Sequence, residues 1–217
     1  MSQTTERPLQ VGDLAPDFTL SAVHADRSIS LSDYRDGAGL FLALYRGLYC
    51  PFCRRSIAQL AASAEKLKPL GIESLAVVAT ELENARLYYR FRPVRVTIAV
   101  DPELSTHRSY GVPHLEVTPQ LMEAMGKARV NPTGELSEPL PLPRAMEELQ
   151  KLDGYQPTDA DQRDVQRQFP QLTGQFMIDR GGTIQWANVE GLDGPAGIGK
   201  FPTLEELLAA AERVVST

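Results

Sequence analysis

Apolar residues follow two rhythms along this chain. One is continuous: Leu40 to Leu44 is unbroken, and Ser74-Leu75-Ala76-Val77-Val78-Ala79 nearly so. Runs of this kind mark strands covered on both faces, the pattern of a central parallel sheet. Val96-Thr97-Ile98-Ala99-Val100 predicts a third strand. The other rhythm is helical. Ile57, Leu60, Ala61, Ala64 and Leu67 fall on one stripe, predicting a helix from Pro51 to about Lys68, ended by Pro69 and Gly71. Leu82 to Phe91 predicts a second helix, stopped by Pro93, and Asp101-Pro102 turns into a short one ending near Gly111. Before these, Leu9 to Leu20 reads as a turn and a short alternating strand. Ile29, Leu31 and Tyr34 follow as another short strand and a turn of helix, broken at Asp36-Gly37. Helices alternating with buried strands predict an α/β domain on a mostly parallel sheet.

From Pro113 to Pro170 the rhythm changes, and eight of the sixteen prolines fall there. The stretch is too long for a plain loop, so residues 113–170 are expected to be an insertion within a single domain spanning 1–217. Leu121 to Val130, Arg144 to Leu152 and Thr158 to Phe169 predict short helices, the third capped by Thr158 or Asp159. Asn131 to Gly134 and Pro139 to Pro143 read as turn and extended segment. Decoration of an edge or a homodimer contact is the expected role of the insertion, with covering of a site as the alternative. Gln175 to Asp179 and Thr183 to Asn188 then form a hairpin around Arg180-Gly181-Gly182. Gly191 to Gly199 lacks the ending of a phosphate loop, and that reading is rejected. Thr203 with Glu206 caps a last helix carrying Leu207, Leu208 and Val214.

The composition, 42% hydrophobic and 23% charged over 217 residues, is that of a globular protein. No apolar run reaches the length of a membrane span, so no membrane partner is expected. Met1 to Gln10 has no apolar core, so no secretory signal is expected either. A net charge of −6 without basic runs argues against nucleic acid. Two cysteines do not make a disulfide scaffold, and a reducing cytoplasm is the expected location.

Those two cysteines, Cys50 and Cys53, sit in Leu44-Tyr45-Arg46-Gly47-Leu48-Tyr49-Cys50-Pro51-Phe52-Cys53-Arg54-Arg55, where a strand gives way to a helix. Pro51 suits the first helical position. Unpaired N–H groups at a helix start favour a thiolate over a thiol. Arg46, Arg54 and Arg55 push the same way if they point toward the sulfurs. Two small core residues are one reading of the pair. A zinc site is another, but there is no second cysteine pair and His24, His107 and His114 are scattered. A redox dithiol is the reading favoured by a CxxC at a strand-to-helix junction. No cofactor and no metal are expected.

In combination, Val11-Gly12-Asp13-Leu14-Ala15-Pro16-Asp17-Phe18, the Tyr45–Cys53 junction, Asp101-Pro102 with Tyr110-Gly111-Val112, and Phe176-Met177-Ile178-Asp179 with Gly181-Gly182 resemble the peroxiredoxin-like branch of the thioredoxin superfamily, which shares the alkyl hydroperoxide reductase/thiol-specific antioxidant (AhpC/TSA) domain. The resemblance implies a thioredoxin-like fold, a central mixed sheet flanked by helices, with the insertion before the last hairpin. It implies peroxiredoxin-like antioxidant activity and an external reductant of thioredoxin or glutathione type. The chain departs from the family's Pro-x-x-x-Thr-x-x-Cys pattern. With Cys53 as the attacking cysteine, the proline and threonine positions hold Arg46 and Cys50; with Cys50, they hold Ala43 and Gly47. The arginine expected before the Phe176 strand falls at Thr173.

The expectation is a thiol-dependent oxidoreductase acting on hydroperoxides or disulfides. One thiolate attacks, and its neighbour closes the Cys50–Cys53 disulfide. Thioredoxin logic makes Cys50 the nucleophile, being nearest the helix start and expected to be the more exposed; the peroxiredoxin alignment favours Cys53. Cys50 is preferred. Arg46 and Arg54 are candidates for electrostatic support; Tyr45 and Tyr49 could line the site, but packing is their expected role. The alternative is a redox-sensing or interaction module with little turnover, whose cysteines would titrate near the ordinary value.

Overall fold

A computed structural model describes residues 7–35, 37–192, 197, 199 and 201–215. Nine strands are described: β1 (Thr19–Ala22), β2 (Ser28–Ser30), β3 (Gly39–Tyr45), β4 (Ile72–Val78), β5 (Thr97–Val100), β6 (Arg129–Val130), β7 (Leu140–Pro141), β8 (Gly174–Ile178) and β9 (Ile184–Val189). The helices are α1 (Pro51–Leu67), α2 (Leu82–Phe91), α3 (Ser105–Ser109), α4 (Pro119–Lys127), α5 (Leu142–Asp153), α6 (Asp159–Gln168) and α7 (Leu204–Val215). Seven strands form one sheet in the order β2-β1-β5-β4-β3-β8-β9. Only β3, β4 and β5 run parallel; their outer neighbours are antiparallel, so the sheet is mixed rather than mostly parallel.

The continuous apolar runs are the central strands, and every residue of β3 is buried. Alternation sends Phe41, Ala43 and Tyr45 to a core under α1, α2, α5 and α7. Leu40, Leu42 and Leu44 go to a second core with Phe18, Ile29, Tyr110 and Phe176. At Gly111 the backbone takes φ +65°, and a Cβ there would stand 2.0 Å from the Arg7 carbonyl oxygen. Only glycine fits this crossing of the N-terminal segment.

The predicted hairpin forms as β8 and β9. Thr203 and Glu206 close the expected capping box on α7. The Asp36–Gly37 break and the Gly191–Gly199 stretch lie partly outside the described residues. No described helix is long and apolar enough to cross a membrane.

Residues 113–170 contribute α4, α5, α6 and the β6–β7 ribbon, with Thr158 capping α6 by accepting the Asp161 N–H. They do more than decorate an edge, because α5 and the segment around Glu135 pack over the first turns of α1. Arg54, 4% exposed, donates to Asp153 at 2.6 and 3.0 Å and to the Leu48 carbonyl at 2.6 Å. Its guanidinium also lies 4.4 Å from the centre of the Tyr155 ring. Arg55 pairs with Glu135 and Asp153, and Gln59 donates to the Thr133 carbonyl. From the other side, buried Gln168 at the end of α6 accepts the Gly47 N–H at 2.9 Å and donates to the Ala79 carbonyl.

Candidate active site

The chain leaves β3 at Tyr45, turns through residues 46–49 and enters α1. Cys50 is the N-cap of that helix, its backbone extended at φ −81°, ψ 108°. Pro51 follows at N1, where its missing N–H costs nothing. The Cys53 N–H, one of the helix's otherwise unpaired donors, points to the Cys50 sulfur at 3.2 Å. Gly47 lets the turn close: a Cβ there would stand 2.9 Å from the Tyr49 ring and 3.2 Å from the Ala79 carbonyl oxygen.

Both cysteines are free thiols and both are buried, Cys50 to 3% exposure and Cys53 to 1%. This corrects the expectation of an exposed Cys50; the insertion is what covers it. A cavity of about 60 Å³ remains against its sulfur-bearing residue. Arg46, Tyr49, Cys50 and Phe52 form one wall, and Leu115, Met125, Leu142, Met146, Phe169 and Pro170 of the insertion form the roof. Two polar atoms on the first wall, Arg46 Nε and Tyr49 Oη, are buried without a partner among the described residues.

The electrostatics separate the two sulfurs. Burial, the largest single influence, pushes the Cys50 thiol up, but the hydrogen bond from the Cys53 side chain, the Arg46 charge and the Cys53 N–H together outweigh it. Cys50 is held down, from an ordinary 9.0 to about 6. Cys53 is pushed well up, by burial first and then by donating to and facing Cys50. The surroundings therefore favour the anion on Cys50 and the neutral thiol on Cys53. Burial pushes the Tyr49 and Tyr45 hydroxyls up too, so both keep their protons. Tyr45 meets Ser56 at 3.0 Å and packs as expected, whereas Tyr49 faces the cavity.

Of the three arginines at the junction only Arg46 serves the sulfurs. Arg54, the other candidate for electrostatic support, is turned to Asp153 and Leu48, and Arg55 to Glu135 and Asp153. Arg46 donates from Nη1 to the Gln171 carbonyl and from Nη2 to Glu190, each at 3.2 Å. Burial works against its charge, but Glu190 and the two cysteines restore it, leaving Arg46 more firmly protonated than usual. Thr173, where the family pattern places an arginine, instead donates to Glu190. Sequence reasoning missed Glu190, and it ranked packing for Tyr49 and edge decoration for the insertion above the roles the structure gives them. The one signal for Glu190 was a lone acid at the end of a predicted strand. Among the described residues no group of three or more His, Cys, Asp or Glu side chains is arranged to hold a metal.

Residues 11–138 match the AhpC/TSA family. No curated protein sequence gives a significant match. Among solved structures, the peroxidoxin BcpB from Mycobacterium tuberculosis superposes with a TM-score of 0.57 at 11% identity, covering 96% of this chain and 97% of its own. A candidate thiol:disulfide interchange protein DsbE from Chlorobium tepidum gives 0.56 at 21% identity, with 94% and 99% covered. The reduced 2-Cys peroxiredoxin from Plasmodium vivax gives 0.58 at 15% identity, with 94% and 81% covered. At these identities the structures establish a shared thioredoxin-like fold.

Proposed function

The chain belongs to the AhpC/TSA family, and on that premise we propose that it is a thiol peroxidase for small hydroperoxides, working through the Cys50–Cys53 dithiol. The observation that carries this reading is the placement of a depressed thiol, Cys50, in a roofed cavity with two unpaired donors, Arg46 Nε and Tyr49 Oη. In the first step the Cys50 thiolate attacks the terminal oxygen of the hydroperoxide. An S–O bond forms, the O–O bond breaks, and sulfur is oxidised to the sulfenic acid. The departing alkoxide or hydroxide carries the electron pair away and takes a proton from solvent to leave as alcohol or water. Arg46 and Tyr49 supply the donors that stabilise the charge as it moves from sulfur to oxygen. In the second step the Cys53 thiol attacks the sulfenic sulfur, the disulfide forms and water leaves. An external thiol, two equivalents per cycle, returns the pair to the reduced state and is itself oxidised to a disulfide.

The enclosure favours a hydroperoxide over a protein disulfide. With Cys50 only 3% exposed beneath α4 and α5, a small molecule fits the approach better than a disulfide exchange, which needs three sulfurs in line with a protein chain behind two of them. A reducing cytoplasm suits a dithiol that must be reset by thiols. The non-catalytic module predicts a Cys50 with ordinary acidity, which the helix start and Arg46 argue against. Single substitutions test the assignment. After one equivalent of hydroperoxide, Cys53→Ser should hold a sulfenic acid on Cys50, trapped by dimedone and read by intact mass. Cys50→Ser should react no faster than free cysteine. A sulfenic acid formed rapidly on Cys53 in Cys50→Ser would reverse the roles.

A further inference from the structure

The Cys50 sulfur is governed by few ionisable groups: Arg46, Glu190 and Cys53 act on it directly, and Tyr45 and Tyr49 face it as neutral phenols. Arg46 is the only cation among them. Its side chain is 14% exposed, so water is within reach of a flexible guanidinium that loses solvation by staying. What keeps it inside is visible in the hydrogen bonds. Glu190 lies 144 residues away in sequence, and its side chain is fully buried. Both its oxygens are saturated. Oε1 accepts from Arg46 Nη2 at 3.2 Å and from the Gly199 N–H at 2.6 Å. Oε2 accepts from the Thr173 N–H at 2.9 Å and from Thr173 Oγ1 at 3.2 Å. Two of those donors are backbone, so the carboxylate has anchors that do not depend on Arg46. The Gln171 carbonyl takes Nη1, and Nε is left over for the cavity.

We propose that Glu190 is the positioning residue of this site: held by Thr173 and Gly199, it fixes the Arg46 guanidinium beside the two cysteines, with Nε unpaired at the cavity. The inference rests on the reading of Cys50 as the attacking thiolate.

The sign of one substitution separates positioning from simple charge. Glu190 is itself an anion near an anion, and its direct effect is to disfavour the Cys50 thiolate. If that were its whole role, Glu190→Gln would make Cys50 more acidic. If Glu190 positions Arg46, the buried guanidinium in Glu190→Gln loses its one carboxylate partner among the described residues, turns toward water, and Cys50 becomes less acidic. The experiment is the pH profile of Cys50 alkylation by iodoacetamide in the reduced protein, with the modified residue assigned by mass. The expected result for Glu190→Gln is an upward shift of about one pH unit, hence an alkylation rate about tenfold lower at pH 5. In an Arg46→Ala background the same substitution should shift the midpoint down, since only the direct charge effect remains. Thr173→Val, which keeps the carboxylate and loosens it, should move the midpoint up by less, and decides the matter alone if Glu190→Gln does not fold. A midpoint that falls or stays in Glu190→Gln, or one that shifts equally with and without Arg46, overturns the proposal. A wild-type Cys50 that titrates like free cysteine would instead remove the thiolate reading beneath it.

Discussion

Cys53 donates its backbone N–H to the sulfur of Cys50 at 3.2 Å, and the residue that caps α1 is thereby also its candidate nucleophile. An N-cap normally offers an oxygen from Ser, Thr, Asp or Asn. Here a sulfur takes that place, and it does so best as an anion. Folding and acidity are coupled: the helix start stabilises the thiolate, and the thiolate caps the helix.

That coupling has a pH signature. Cys50 is held at about 6 in the folded protein, below its ordinary value, so the stability it contributes is fully present above the unfolded value and is lost as pH falls through about 6. Cys53 is pushed up, so its contribution is present below the ordinary value and lost only as pH rises beyond it. Reduced protein should therefore gain stability between pH 6 and about 8.5, by a few kcal/mol, since each tenfold change in the ionisation equilibrium is worth about 1.4 kcal/mol. Urea unfolding of wild type and Cys50→Ser at pH 5.5, 7 and 8.5 measures it. Equal pH dependence in the two proteins would show that the thiolate does not cap the helix.

Tyr49 offers a buried hydroxyl to the cavity that keeps its proton. Tyr49→Phe should slow oxidation of Cys50 by hydroperoxide about a hundredfold, the lower end of the usual loss of one donor at a developing oxyanion. Alkylation by iodoacetamide releases iodide, which needs no such donor, and should be unchanged. Parallel losses in both reactions would mean that Tyr49 only shapes the sulfur's surroundings.

The roof is fastened at Asp153, which binds both Arg54 and Arg55. Since the Arg54 side chain is 1% exposed, Asp153→Ala leaves a buried charge with no acid partner among the described residues, and about 3–5 kcal/mol of stability should go. Labelling of Cys50 by a bulky maleimide should rise in the folded variant while oxidation by small hydroperoxides changes little. If bulky and small reagents gain equally, or neither gains, α5 is not the cover over the sulfur.

Gly111→Ala puts a methyl group onto the Arg7 carbonyl at a left-handed backbone position. Strain and overlap together should cost more than about 2 kcal/mol in denaturant unfolding. A neutral substitution would mean that residues near Arg7 do not pack there.

The sheet and α1 could be read from the chain because their signals are local: the apolar run of β3, the stripe of Ile57, Leu60 and Leu67, Pro51 after Cys50. The dithiol was legible for the same reason. Its surroundings were not. Glu190 reaches Arg46 across 144 residues, and Gln168 reaches Gly47 across 121; no spacing rule connects such partners. Arg46, Arg54 and Arg55 look equivalent in sequence, and only tertiary packing turns one to the sulfurs and two to Asp153. The burial of Cys50 was hidden because its cover, Met125, Leu142 and Met146, lies in a proline-rich stretch whose docking partner the chain does not announce.

The most direct test of the account is the stopped-flow rate at which fully reduced wild type reacts with tert-butyl hydroperoxide at pH 7, beside free cysteine and beside a protein disulfide as oxidant. A thiol titrating near 6 is about thirtyfold more ionised at pH 7 than one near 8.5, but its lower basicity takes back about tenfold. Ionisation alone thus gives an advantage of only a few-fold, and anything well above that measures what Arg46 and Tyr49 add. The predicted hydroperoxide rate is more than about tenfold above that of free cysteine, with the protein disulfide far slower. A hydroperoxide rate no greater than that of free cysteine, or a protein disulfide that reacts faster, would contradict it.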